Sequence, residues 1–510
     1  MKELGGVVPA RSGAADADPA VAVSGGATGS AVRPGVVQAI ACAGVVLASL
    51  DLFIVNVALP RLAVAFGGAD LASVSWVLNA YAIVFAALLV PAGRLADRTS
   101  RKGGFLVGLA IFTVASACCA LADNVAALVG LRAVQAVGAA LLVPTSLSLV
   151  LAAYPAERRG GAVRVWTAMG GLAAGLGPVL GGLLVTIDWR WVFLVNVPIG
   201  LAALVIGWRF LPNTPGERGP FPDATGALLL TAGIGALTLG LVKGNDWGWT
   251  SSRVIGLLVG AGVAGAAFLL RCRRHPSPVM ELGLLRIRSF GVTLAAALLF
   301  SAAFGAGLLA LVLWLQDNWG WSPLRTGLGV APGPLTVPVV TILAGVLIRR
   351  IGPGPVIAIG CTTYAAGQLM YVAVVGLRPD YPLLLCGLLI TGVGVGLTLP
   401  TLFSTAAGAL PPHRFATGAA VLSMVRQLGF AVGVAVLVAV LGAPLTAAGR
   451  LEAFDLGWTT IAGIAFAGGL AALLIGRAGP TPSSSTHSSA TPAASIRAAL
   501  SPRVVDEELN

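Results

Sequence analysis

Apolar runs of about the twenty residues that a helix needs to cross lipid recur along this chain from Val36 to Gly476, separated by short polar breaks. No stretch between them is long or polar enough to fold as a soluble domain. The chain is 57% hydrophobic and 10% charged, far from the roughly 25% charged residues of a soluble domain. A backbone in lipid must satisfy its own hydrogen bonds, so the runs read as helices. The fold class expected is therefore an all-α polytopic membrane protein.

The runs fall near Val36 to Leu59, Val74 to Ala92, Gly104 to Leu121, Val125 to Ala152, Val163 to Ile187 and Trp191 to Leu211. Two more follow at Ala224 to Val242 and Val254 to Leu270. The last six are Phe290 to Leu315, Thr326 to Ile348, Pro355 to Val375, Tyr381 to Phe403, Ala416 to Leu441 and Trp458 to Ile475, fourteen spans in all. Gly93-Arg94-Leu95-Ala96-Asp97-Arg98 has an echo in Gly345-Val346-Leu347-Ile348-Arg349-Arg350. Each follows the second span of a block of six, as in transporters built from two related halves that rock about a central site. The expected division is a disordered start (1–35), a first six-helix half (36–211), a linker carrying two additional helices (212–289), a second half (290–476) and a disordered tail (477–510).

The net charge of +12 would suggest a nucleic-acid partner in a soluble protein, but here the basic residues lie between apolar runs. With the first residue in the cytoplasm, the inner loops collect Arg94, Arg98, Arg101, Lys102, Arg158, Arg159, Arg164, Arg209, Arg218, Arg271, Arg273, Arg274, Arg286, Arg288, Arg349, Arg350 and Arg414. The outer loops hold fewer, among them Arg61, Arg190, Lys243 and Arg253. That bias puts both ends in the cytoplasm. The six cysteines lie in or beside the spans without a CxxC pair, as free thiols do.

A P-loop requires Gly-Lys-Ser/Thr, and the lysines, Lys2, Lys102 and Lys243, follow Met1, Arg101 and Val242. His275, His413 and His487 are too scattered for a metal-binding helix, and no GxSxG elbow occurs. No cofactor or metal is implied, and an enzyme is not expected. An ion gradient remains as the energy source. A proton crossing about 100 mV gains roughly 2.3 kcal/mol, and one pH unit adds about 1.4 kcal/mol. Together these sustain a concentration ratio of roughly several hundredfold.

Asp51 is the acidic residue set deep inside a predicted span, roughly 13 Å of helix from its outer end at Pro60. Arg132 lies roughly 10 Å below the outer start of the fourth span. The two meet if spans one and four are neighbours. A carboxylate whose distance from a guanidinium changes will bind and release protons as it moves; the alternative is a static ion pair. Gln135, three residues on, shares a helix face with Arg132.

GRLADRTSRK (Gly93 to Lys102), LDLFIVNVALP, GPVLGG and WRWVFLVNVPIG together resemble the major facilitator superfamily, and more narrowly its fourteen-span drug:proton antiporters. The likeness covers about Gln38 to Ile475. It implies two six-helix halves plus two extra central helices, and proton-coupled export of drug-like or natural-product molecules. Gly93, Leu95, Asp97, Arg98, Arg101 and Lys102 match the family's loop motif, with Ser100 replacing its second glycine. The resemblance makes this loop a conformational latch; as bare charge it would be only a retention signal for the inner face. It also associates Arg132 with proton coupling, in LRAVQAVGAA. Gly177, Pro178, Gly181 and Gly182 match the core of the antiporter signature, although a lone proline in such a helix is ordinarily structural.

Arg426, in SMVRQLGFAVGVAV, lies near the middle of its span with no acid at its depth, and an anionic substrate, a backbone carbonyl or Gln427 is its expected contact. Asn56 and Gln316 coincide with family patterns in VNVALP and WLQ. With Gln135 and Arg426 they are the candidate lining of a substrate cavity, or else polar joints between helices. The partners implied are a small-molecule substrate, protons and lipid, but no nucleic acid, with a monomer as the expected state. An importer or metabolite carrier, or a receptor without transport, remains open at this level.

Overall fold

The computed structural model describes residues 34–213, 220–376, 378–410, 415–442 and 446–475. The expected terminal tails lie outside them, apart from Pro34 and Gly35 at the start of the first helix. Arg218, His413 and Arg414 also lie outside. Among the described residues fourteen helices are long and apolar enough to cross a membrane. They are α1 Pro34–Ala65, α2 Leu71–Thr99, α3 Arg101–Ala120, α4 Val125–Ala153, α5 Glu157–Ile187, α6 Trp191–Phe210, α7 Ala224–Trp247 and α8 Ser252–Arg274, then α9 Arg288–Asn318, α10 Pro323–Ile351, α11 Pro353–Val374, α12 Tyr381–Gly408, α13 Thr417–Leu441 and α14 Ala447–Ala472.

The helices follow the predicted spans but run past them where polar residues continue the helix beyond lipid. α14 starts at Ala447 rather than at Trp458, because Thr446 accepts a bond from the Gly449 N–H and caps a polar first turn. α2 extends through most of the expected loop to Thr99. Ser100 alone forms the joint to α3, with extended backbone (φ −162°) and its Oγ accepting from the Gly103 N–H. That conformation suits any residue, so serine can stand where the family pattern has glycine.

The two blocks of six repeat one packing plan. α1 lies against α5, α4 and α6, as α9 lies against α13, α12 and α14; α2 on α4 matches α10 on α12; and α3 between α4 and α6 matches α11 between α12 and α14. The blocks meet along two seams, α2 with α13 and α5 with α10. An even number of spans puts the start of α1 and the end of α14 on one side, here the near face, with the far face opposite.

Contact along the α5–α10 seam is concentrated at the far end, between α5 and Pro323–Val330, and fades along Pro332–Ile351. On the near part of α10, Leu335, Val339, Ile342 and Leu343 form an exposed apolar stripe. At the far end, Gln316 Nε2 donates to the Val57 carbonyl across the halves at 3.0 Å. The halves thus close along this seam toward the far face and part from each other toward the near face.

α7 crosses the other seam, packing on both α2 and α13. Near its far end Lys243 pairs with Asp70 at 3.2 Å, Asn245 donates to the Ala439 carbonyl at 2.6 Å, and Val242 packs with Ala72, Ala435 and Val438. Asp70 also caps α2 through the Ser73 N–H. Burial pushes the Asp70 carboxyl up, but the hydrogen bonds to Ser73 and Lys243 outweigh it and hold the group below its ordinary value. On the near face the connecting segments grip the end of α2. Arg94 bonds Ser277 Oγ (3.1 Å), the Pro278 carbonyl (2.5 Å) and Glu281 (2.8 Å), and Arg98 stacks 3.7 Å over Phe221.

Candidate functional site

α1 and α4 are neighbours, and their two deep charges meet. Arg132 Nη1 lies 2.5 Å from Asp51 Oδ2, with both side chains at 0% exposure. Packing supplies the rest of the cluster. Gln135 Nε2 donates to Asp51 Oδ1 (3.0 Å), its Oε1 accepts from Arg132 Nη1 (2.6 Å), and Arg132 Nε donates to the Val77 carbonyl on α2 (3.2 Å). Tyr81 places its ring 4.2 Å from the guanidinium carbon, an attraction that grows as water is excluded.

Two residues that the sequence reading did not single out complete the shell. Asn196 Nδ2, from α6, donates to Asp51 Oδ1 at 3.2 Å and to Ser116 Oγ at 3.1 Å. Ser116, on α3, also accepts from Gln135 Nε2 (3.2 Å) and donates to the Phe193 carbonyl (2.9 Å). α6 is discontinuous at Val195, between Trp191–Leu194 and Asn196–Phe210, because Pro198 has no N–H to offer the Leu194 carbonyl. The signal for Asn196 was present in WRWVFLVNVPIG: a polar residue two positions before a proline in a span.

Chemically, the carboxylate holds three donors in a site closed to solvent. Taking two charges out of water is expensive, and only good geometry with further hydrogen bonds offsets that cost. A proton on Asp51 would cancel its attraction for Arg132. A movement of α1 relative to α4 and a change in protonation are thus physically coupled.

The other sequence candidates are distributed. Gln135 belongs to the Asp51 cluster. Gln316, in a π-helical turn (Trp314–Asn318) that ends α9, bonds Val57 across the halves. Asn56 is fully buried with neither side-chain polar atom bonded. Arg426 is half-buried on α13, its guanidinium carbon 4.9 Å from the Phe403 ring centre and its Nε without a partner. These side chains do not form one cluster.

Gly177, Pro178, Gly181 and Gly182 seat α5 between two helices. A Cβ on Gly177 would strike Phe53 on α1, one on Gly181 would come within 2.9 Å of the Ile54 carbonyl, and one on Gly182 would land on the Pro323 carbonyl of α10. The fit is reciprocal, since a Cβ on Gly327 of α10 would land on the Pro178 carbonyl. The loop motif gathers on the near face. Asp97 pairs with Arg101 at 3.0 Å, Lys102 Nζ donates to the Trp208 and Leu211 carbonyls at the end of α6, and Gly93 packs tightly on Pro144, where an added Cβ would come within 3.1 Å of the proline ring.

A family model described as Major Facilitator Superfamily matches residues 41–434. The chain belongs to that superfamily. It is 36% identical over 408 residues to the Multidrug resistance protein Stp of Mycobacterium tuberculosis, covering 79% of this chain and 75% of that one. It is 35% identical over 342 residues to the Tetracenomycin C resistance and export protein of Streptomyces glaucescens (67% and 63% covered), and 34% identical over 399 residues to a Probable actinorhodin transporter of Streptomyces coelicolor (76% and 69%). A crystal structure of a POT family transporter superposes with a TM-score of 0.64 over 85% of this chain and 94% of that one, at 15% identity, a likeness of fold. This superfamily member is accordingly a polytopic membrane transporter of the efflux type.

Proposed function

We propose that this chain exports amphipathic drug-like or natural-product molecules across the cytoplasmic membrane in exchange for protons, with Asp51 as the proton carrier and Arg132 as the charge that tunes it. The observation that carries the reading is the fully buried Asp51–Arg132 pair, since ionisable groups inside a membrane are costly and mark ion or proton pathways. The near face is the cytoplasmic one, since its loops hold Arg94, Arg98, Arg101, Lys102, Arg158, Arg159, Arg271, Arg273 and Arg274. The conformation with the far face closed along α5 and α10 then suits loading from the cytoplasm. Resistance and export named for its relatives support the direction of transport. The chain works as a carrier and not as a catalyst, through its own side chains and as a monomer.

The test is uptake into everted membrane vesicles. An acid interior should drive accumulation of a labelled substrate, chosen by a resistance screen in an efflux-deficient host. Flux with the proton gradient instead of against it would make the chain an importer and end this reading.

Arg426 is the proposed substrate-recognition charge, because its Nε has no partner and it lies half-buried over Phe403. Hydrogen bonds to a charged group contribute about 1.5–3 kcal/mol. Arg426→Ala should therefore weaken binding of anionic substrates by roughly tenfold to a hundredfold, leaving neutral ones nearly unchanged. Competition binding with matched anionic and neutral analogues reads the difference.

A further inference from the structure

The Asp51 cluster has one feature that a static ion pair would not need. An ionised carboxylate only accepts hydrogen bonds, but a protonated one must also donate, and a buried O–H without an acceptor is costly. The Arg132 guanidinium has no acceptor to give. Gln135 Oε1 is already taken by Arg132 Nη1 at 2.6 Å, with Cys119 Sγ 3.9 Å away. Ser116 Oγ already accepts from both Gln135 and Asn196. Among the side chains bonded to Asp51, Asn196 alone holds an acceptor with no donor: its Oδ1 is buried and unpartnered, in a residue of 0% exposure.

We propose that Asn196 is a two-state positioning residue for the proton on Asp51. With the carboxyl ionised, Asn196 Nδ2 donates to Asp51 Oδ1, as the structure shows. When a proton binds, the side-chain amide turns by about half a revolution and Oδ1 accepts the new O–H. Gln135 cannot do this without giving up Arg132, so the task falls to α6. The turn also frees Ser116 Oγ from one of its donors, which passes the protonation state of α1 to α3 and α6. Arg132, Tyr81 and Cys119 are the titratable groups that α4, α2 and α3 turn toward this site.

This inference rests on Asp51 as the carrier, and infrared spectroscopy of the full chain in lipid separates the two. The C=O band of protonated Asp51 is assigned by its disappearance in Asp51→Asn. In Asn196→Leu the band should rise in frequency, as a carboxyl O–H that has lost its acceptor does, and Asn196→Ser should restore it in part. Each form loses one bond to Asn196, but Gln135 and Arg132 still serve the ionised form whereas nothing replaces the acceptor of the protonated one. The midpoint of transport against pH should therefore move toward higher proton concentration in Asn196→Leu, by less than the roughly tenfold that one full hydrogen bond would give. An Asp51 band and pH midpoint unmoved in both Asn196 variants would overturn the amide switch and leave Asp51 as carrier. No Asp51 band at any pH, with transport intact, would overturn both.

Discussion

Asp51→Asn should reduce the substrate gradient that the protein sustains from roughly several hundredfold to the passive ratio, while exchange of substrate down its own gradient persists. The driving force, about 2.3 kcal/mol per proton at 100 mV and about 1.4 kcal/mol per pH unit, is untouched; what is lost is the carboxyl proposed to tie it to the helices. Asn fills the space of Asp51 and can still accept from Gln135 or Asn196, but it leaves the Arg132 guanidinium charged and unpaired at 0% exposure. Removing one partner of a buried pair costs about 3–5 kcal/mol, so the variant should melt at a lower temperature. Asp51→Asn combined with Arg132→Gln removes both charges and should regain most of that stability without regaining coupling. Paired thermal melts and vesicle uptake on the single and double variants test this. Uphill transport in the double variant would show that the pair is structural.

The helices of this bundle were legible because lipid demands about twenty apolar residues per crossing, and the Asp51–Arg132 pair because a charge at mid-depth is conspicuous. Depth along the helix was enough to match them, given neighbouring spans. Asn196 and Ser116 were harder to see. A neutral amide or hydroxyl in a span is cheap compared with a charge, so it leaves little mark in composition, and the partners of each come from two other helices. Gln135 shares a helix face with Arg132 in any reading of the sequence, but that the face turns toward α1 and α3 is a fact of packing. Nor did composition reveal that Arg94 reaches the segment after α8, or that α7 spans the α2–α13 seam. Those contacts join residues more than a hundred and fifty positions apart.

Gly182→Val and Gly327→Val should each shift the protein away from the far-closed state and lower transport by tenfold or more. Both glycines lie where α5 and α10 cross with backbone against backbone. A Cβ on either lands on a carbonyl of the opposite helix, Pro323 for Gly182 and Pro178 for Gly327. Neither carbonyl is the end of a flexible side chain that can swing aside. Overpacking a fitted contact costs about 1–3 kcal/mol, and a bias of about 1.4 kcal/mol already changes a two-state ratio tenfold. Because the strain exists only where the halves touch at the far end, it penalises closure there and spares each half. Gly171, in the same helix, has open space around its Cβ position, so Gly171→Ala is the control that should leave transport unchanged. The measurement is labelling of a single cysteine placed at Leu324, in the otherwise cysteine-free protein, by a membrane-impermeant maleimide from the far side. Labelling should rise in Gly182→Val and Gly327→Val and stay at the parent level in Gly171→Ala. Equal labelling in all three would mean that the G-P-x-x-G-G segment does not govern closure of the seam.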